Sequence, residues 1–175
     1  TFAFLLRRNF RTGYLHIAHN LFEGKLDPIY IRETLDRETH LRAIHSHRLT
    51  GDLPYDQSDY RVIGITFVRD PVDRLISHYY YSRNLIEKND AHKCSTLEEF
   101  VSMIKTDPAV HQRWINTQSS ALELTLDETK KRISEGQLHV FPTKRYDESL
   151  VVLNKLYPSD FSDVSYARKN VNKKR

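Results

Sequence analysis

Apolar residues along this chain come in short runs separated by longer amphipathic stretches. Val62–Val68 is an apolar run of the length of a fully buried strand. Phe2–Leu6, Leu41–Ile44 and Leu138–Phe141 have the same character, and Ile29–Ile31 predicts a further short strand. Helical periodicity is expected in Tyr14–Phe22, Arg32–Leu41, the stretch after Asp70, Leu126–Glu135 and Tyr146–Tyr157. Ser95 and Glu98 have the spacing of a capping box for a helix running to about Lys105, and Asp107–Pro108 opens another that carries Trp114. Thr50–Tyr60 is polar, with Gly51, Pro54 and several aspartates, and reads as a loop, as do Asn9–Gly13 and Asn84–Cys94. Strands alternating with helices predict a three-layer α/β fold. Its central parallel sheet would have about four to five strands, with helices on both faces.

The junction after Val68 is the most informative place in this pattern. Arg69 stands where the strand ends, and Asp70, Pro71 and Asp73 fit the N-cap, first and third positions of a helix. Arg74, Ser77, His78 and Tyr81 then follow at helical spacing. A strand that delivers a guanidinium to a helix N-terminus builds an anion site from that cation and the backbone amides. In parallel sheets, ligands sit beyond the C-terminal strand ends, where Arg7–Gly13, His45–His47 and Arg69 are expected. Each has a plainer rival. Arg69 could pair with Asp70 or Asp73, Ser77 could pack, and the histidines could be ordinary loop residues.

Composition narrows the partners. With 175 residues, 39% of them hydrophobic and 29% charged, the chain suits one domain spanning residues 1–175. A net charge of +4 favours anionic partners. No apolar run approaches the ~20 residues that span a bilayer, so no membrane segment is expected. The single cysteine, Cys94, excludes an internal disulfide. The nine histidines show no metal-ligand spacing, so no metal is expected, nor is a nucleic-acid partner.

The ordered set of segments resembles the sulfotransferases that use 3′-phosphoadenosine 5′-phosphosulfate (PAPS), and most closely the carbohydrate branch that contains heparan sulfate 2-O-sulfotransferase. RDPVDRLISHYYYSRN, starting at Arg69, is similar to that family's RDPxxRxxSxYYY segment. The resemblance assigns Arg69 and Ser77 to the 3′-phosphate. His45–Ser46–His47 matches the branch's His-x-His with the catalytic base, and Arg113–Leu124 its Gln-containing middle helix. Val140–Pro158 matches a strand and following helix, although Lys144 stands where the family often has glutamate. The tail resembles the segment that closes over the nucleotide, with Arg168 and Lys169 at the contact positions. The family's 5′-phosphosulfate loop, of Pro-Lys-Thr-Gly-Gly-Thr type, corresponds to Arg7, Arg8, Asn9, Phe10, Arg11, Thr12 and Gly13. Counted from the first strand, Arg8 replaces the lysine and Thr12 the threonine; Arg11-Thr12-Gly13 could match Lys-Thr-Gly instead. Most of the glycines are replaced, and Phe10 stands where a small residue is expected.

The resemblance implies a P-loop-like fold, PAPS as donor, no metal, and a saccharide acceptor. It implies the Golgi lumen for a eukaryotic protein and the cytoplasm for a compact bacterial one. Sulfuryl transfer resembles phosphoryl transfer, in which positioning and charge stabilisation dominate. A cation at the leaving oxygen stabilises the transition state, which points to Arg8 and, second, Arg11. The acceptor hydroxyl needs a base. A neutral histidine with a pKa near ~6.5 suits it, which points to His47, with His45 as orienting partner or alternative. Two other functions stay open. One is a P-loop kinase, although no Gly-x-x-x-x-Gly-Lys-Ser/Thr motif is present. The other is a non-catalytic nucleotide-binding module with a degenerate 5′ loop.

Overall fold

Aspartate–proline pairs, which combine a side-chain acceptor with a preset helical φ, start several helices. In the computed structural model, which describes residues 2–17, 26–56, 59–83 and 90–166, Asp70 caps α3 (Pro71–Arg83). Its Oδ1 accepts the amides of Val72 and Asp73, each at 3.0 Å. Asp27 caps α2 (Pro28–Arg37) through the Tyr30 amide, and Asp107 caps α5 (Pro108–Trp114) through Ala109 and Val110. The remaining helices are α1 (Phe2–Phe10), α4 (Leu97–Thr106), α6 (Thr117–Leu122), α7 (Leu126–Ser134) and α8 (Tyr146–Leu156). The box that opens α4 uses Thr96 and Glu99, one residue later than the sequence spacing suggests. Thr125 and Glu128 form a second box on α7.

Four short strands pair in parallel, as expected of an α/β protein, but not in one sheet. β1 (Tyr14–His16) pairs with β2 (Ala43–His45), and β3 (Gly64–Val68) with β4 (Leu138–Pro142). The result is two two-stranded sheets among the described residues rather than one of four to five strands. The cause is local. Phe2–Leu6, expected as the first strand, lies in α1, where Leu5 and Leu6 are buried and Phe4 is exposed. A short apolar run does not itself distinguish a strand from one turn of buried helix. Conversely, Tyr14–His16, expected as helix, enters the β2 ladder, and Ile29–Ile31 falls inside α2 behind the Asp27 cap.

The apolar faces meet in three clusters. Leu5, Leu6, Leu150, Leu153 and Phe161 form the one that unites both sheets, because Tyr14 and Ala43 pack on it from one pair and Ile65, Phe67 and Phe141 from the other. Tyr79, Phe100, Ile104 and Val110 form a helical core beside α3, and Ile17, Leu26 and Ile31 a smaller one under β1 and β2. Close approach fixes the start of β3. A Cβ on Gly64 would stand 2.7 Å from the Tyr55 hydroxyl and 2.9 Å from Leu138 Cδ1.

Candidate functional site

The end of β3 builds the first part of the site. Arg69 follows Val68 directly, and its backbone is held by one side chain. Its N–H donates to Gln118 Oε1 and its carbonyl accepts from Gln118 Nε2, both at 2.8 Å. The guanidinium itself makes no hydrogen bond or ion pair among the described residues, although Asp70, the cap of α3, and Asp73, within it, are close in sequence. Asp70 is turned to the helix amides. Asp73 is taken by Lys144 Nζ at 2.7 Å, a contact that raises the lysine pKa. So the pairing that could have made Arg69 a structural pin does not form. Ser77, two turns into α3, is half-buried, and its hydroxyl has no hydrogen bond among the described residues. On the same helix Arg74 donates to Thr117 Oγ1. His78 packs on Trp114, with ring centroids 4.7 Å apart, and burial, followed by the Arg74 charge, lowers its pKa.

A histidine cluster forms the second part. His16 ends β1 directly opposite His45, which ends β2. The His16 and His45 ring centroids are 5.2 Å apart, and those of His45 and His47 are 5.7 Å apart. Burial first, then the neighbouring His16 and His47, pushes the His45 pKa down to about 4. His45 is therefore neutral at pH 7, and its Nδ1 is buried without a hydrogen-bond partner. His47 is exposed. His16 also borders a cavity of about 440 Å³ lined by Ala3, Phe4, Arg7, Arg11 and Tyr14. Neither Arg7 nor Arg11 has a carboxylate partner among the described residues. Arg11 sits in the left-handed turn after α1, at φ 47°.

The segment 7–13 divides between this cavity and the scaffold. Arg7 and Arg11 line the cavity. Arg8 instead pairs with Asp163 at 2.9 Å and donates to the Asp163 and Ser165 carbonyls. Asn9 bonds the backbone of Asp163 in both directions. Phe10 packs edge-on against Phe161 and lies under the Arg42 guanidinium. Thr12 is exposed. Gly13 is buried where a Cβ would come within 3.0 Å of the His40 carbonyl. Arg168 and Lys169 lie outside the described residues. No hydrogen bond, ion pair or ring contact among the described residues joins Arg69 or Ser77 to the histidine cluster. Sequence reasoning passed over His16 because its segment read as helix, and saw Gln118 only as part of a similar helix. Among the described residues no group of His, Cys, Asp and Glu could hold a metal ion, and no helix is long and apolar enough to cross a membrane.

A parallel strand that leads into an unpaired arginine and a capped helix is geometry that suits an anionic group. The family model of the sulfotransferase domain matches residues 25–133, well over half of the chain, and the chain belongs to that family. It is accordingly a transferase of sulfuryl groups, with a nucleotide cosubstrate and an acceptor. The match takes in His45, His47, Arg69, Ser77 and Gln118, but not Arg7–Gly13 or the tail from 134 onward. No curated protein and no solved structure matches the chain.

Proposed function

We propose that this protein is an O-sulfotransferase that takes its sulfuryl group from PAPS and passes it to a carbohydrate hydroxyl, as in the heparan sulfate 2-O-sulfotransferase branch. The supporting observation is the Arg69 guanidinium, which stays unpaired while two carboxylates close to it in sequence are each otherwise engaged. A half-buried cation without a partner is a poor structural element and a good phosphate ligand. Arg69 binds the 3′-phosphate with the Ser77 hydroxyl, and Arg168 and Lys169 are the further nucleotide contacts that the resemblance assigns. When bound, PAPS supplies the sulfuryl group and a leaving phosphate that gains negative charge.

Because Arg8 is paired with Asp163, the cation for that charge is Arg11, with Arg7 beside it at the same cavity. Arg8 and Asn9 position the chain around Asp163, five residues before Arg168. His47 takes the proton of the acceptor hydroxyl, and His45, held neutral by its surroundings, orients it.

A second function is favoured by one specific observation. Asn9, Phe10 and Gly13 are all used in packing or backbone contacts, which leaves less of the 5′ segment free to wrap a phosphosulfate. That suits a module that binds the nucleotide without turning it over. Calorimetry with 3′-phosphoadenosine 5′-phosphate, paired with a sulfate-transfer assay on uronic-acid polysaccharides in the presence of a chelator, separates the possibilities. Binding with magnesium-independent transfer supports the enzyme, and binding without transfer supports the module. Failure to bind refutes both.

A further inference from the structure

We propose that Gln118 is a positioning residue for the reaction, one that sets the direction of the Arg69 guanidinium by closing both hydrogen-bonding groups of the Arg69 backbone. This rests on the assignment of Arg69 to the 3′-phosphate. β3 loses its strand partner at Arg69, because Val68 is the last residue in register and faces Pro142. Proline has no N–H with which to extend a ladder. A primary amide carries a donor and an acceptor on one planar group, so it can replace the missing strand at a single residue. Gln118 does so with two bonds of 2.8 Å.

The helix that carries this amide is itself fixed at several points. Thr117 accepts from Arg74 of α3, and the Leu122 carbonyl accepts the Gly51 amide at 2.6 Å. Asn116 and Glu123, flanking α6, take left-handed φ values of 54° and 55°, which non-glycine residues adopt uncommonly. A six-residue helix has little stability of its own. These contacts hold it where its glutamine meets the strand end. With the backbone fixed, the Cα–Cβ bond of Arg69 has one direction, and the guanidinium loses less freedom when it grips a phosphate.

The test compares two nucleotides that differ in the group Arg69 grips: 3′-phosphoadenosine 5′-phosphate and adenosine 5′-phosphate. Their affinities are measured calorimetrically for the wild type, Gln118→Met, Gln118→Asn, Arg69→Ala and the double variant Arg69→Ala/Gln118→Met. Gln118→Met is expected to weaken the 3′-phosphorylated ligand about tenfold and to leave the other within about twofold. In the Arg69→Ala background it is expected to add nothing, since the two act as a unit. If Arg69→Ala discriminates between the nucleotides while the Gln118 variants do not, the positioning role is refuted and the phosphate assignment stands. If Arg69→Ala itself fails to discriminate, the phosphate assignment falls, and this inference with it. Loss of folding in both Gln118 variants assigns the residue to stability and overturns the proposal.

Discussion

His45 gives a stability prediction whose sign and size follow from its surroundings. Burial and the adjacent His16 and His47 lower its pKa from 6.5 to about 4. The unfolded chain takes up a proton below pH ~6.5 that the folded state refuses until pH ~4, so protonation favours unfolding in that window. A fall of that size corresponds to ~3 kcal/mol at ~1.4 kcal/mol per pH unit. Because the ring is only partly buried, screening by water reduces the effect to about 1–2 kcal/mol. The contribution is intact above the unfolded pKa and is lost progressively as pH falls from 6.5 towards 4. The perturbation is His45→Gln, which removes this titration and leaves the others in place. Urea unfolding of both proteins at pH 7.5, 6.0, 5.0 and 4.5 gives the difference in stability directly. That difference should be constant above pH ~7 and move by ~1–2 kcal/mol in the variant's favour by pH 4.5. Parallel curves over the whole range would refute the packing argument, because the ring would then be titrating as if in water.

Further predictions address the scaffold and the chemistry. Gly64→Ala drives a methyl group against the buried Tyr55 hydroxyl and Leu138, and should cost about 1–3 kcal/mol in chemical denaturation. A neutral result would show that the loop carrying Tyr55 yields freely. Asp70→Ala leaves the Val72 and Asp73 amides of α3 uncapped and should lower stability by about 1 kcal/mol, read in the same assay. His47→Ala should reduce sulfate transfer by about 10²–10⁴-fold while nucleotide affinity stays nearly constant. Full turnover in that variant moves the base to His45 or His16.

The two halves of the site differed in how far they could be read from the sequence. Asp70 and Pro71 act through their immediate neighbours, so cap, helix start and strand end at Arg69 were all legible in local spacing. The parallel sense of the β3–β4 pair, though not the choice of partner, followed from the alternation of strands and helices. The amino-terminal segment was not legible for the opposite reason. Leu5 and Leu6 suit a strand as well as a helix, and their burial against Leu150 and Phe161 decides it, across some 150 residues of sequence. Tyr14–His16 is too short to show its period, and its pairing with β2 depends on contacts distant in the chain. The engagement of Arg8 by Asp163 is likewise a long-range contact that no local pattern announces. Gln118 was visible only as a letter in a helix; its role appears once α6 is seen against the end of β3.

The central claim is that one guanidinium at the end of β3 holds a ribose phosphate. Titrating wild type and Arg69→Ala with 3′-phosphoadenosine 5′-phosphate, and again with adenosine 5′-phosphate, tests it most directly. A charge-assisted pair of this kind contributes about 1.5–3 kcal/mol, so the variant should bind the first ligand some ten- to a hundredfold more weakly and the second unchanged. Equal affinity of the two proteins for the 3′-phosphorylated ligand, or an equal loss for both nucleotides, would contradict it.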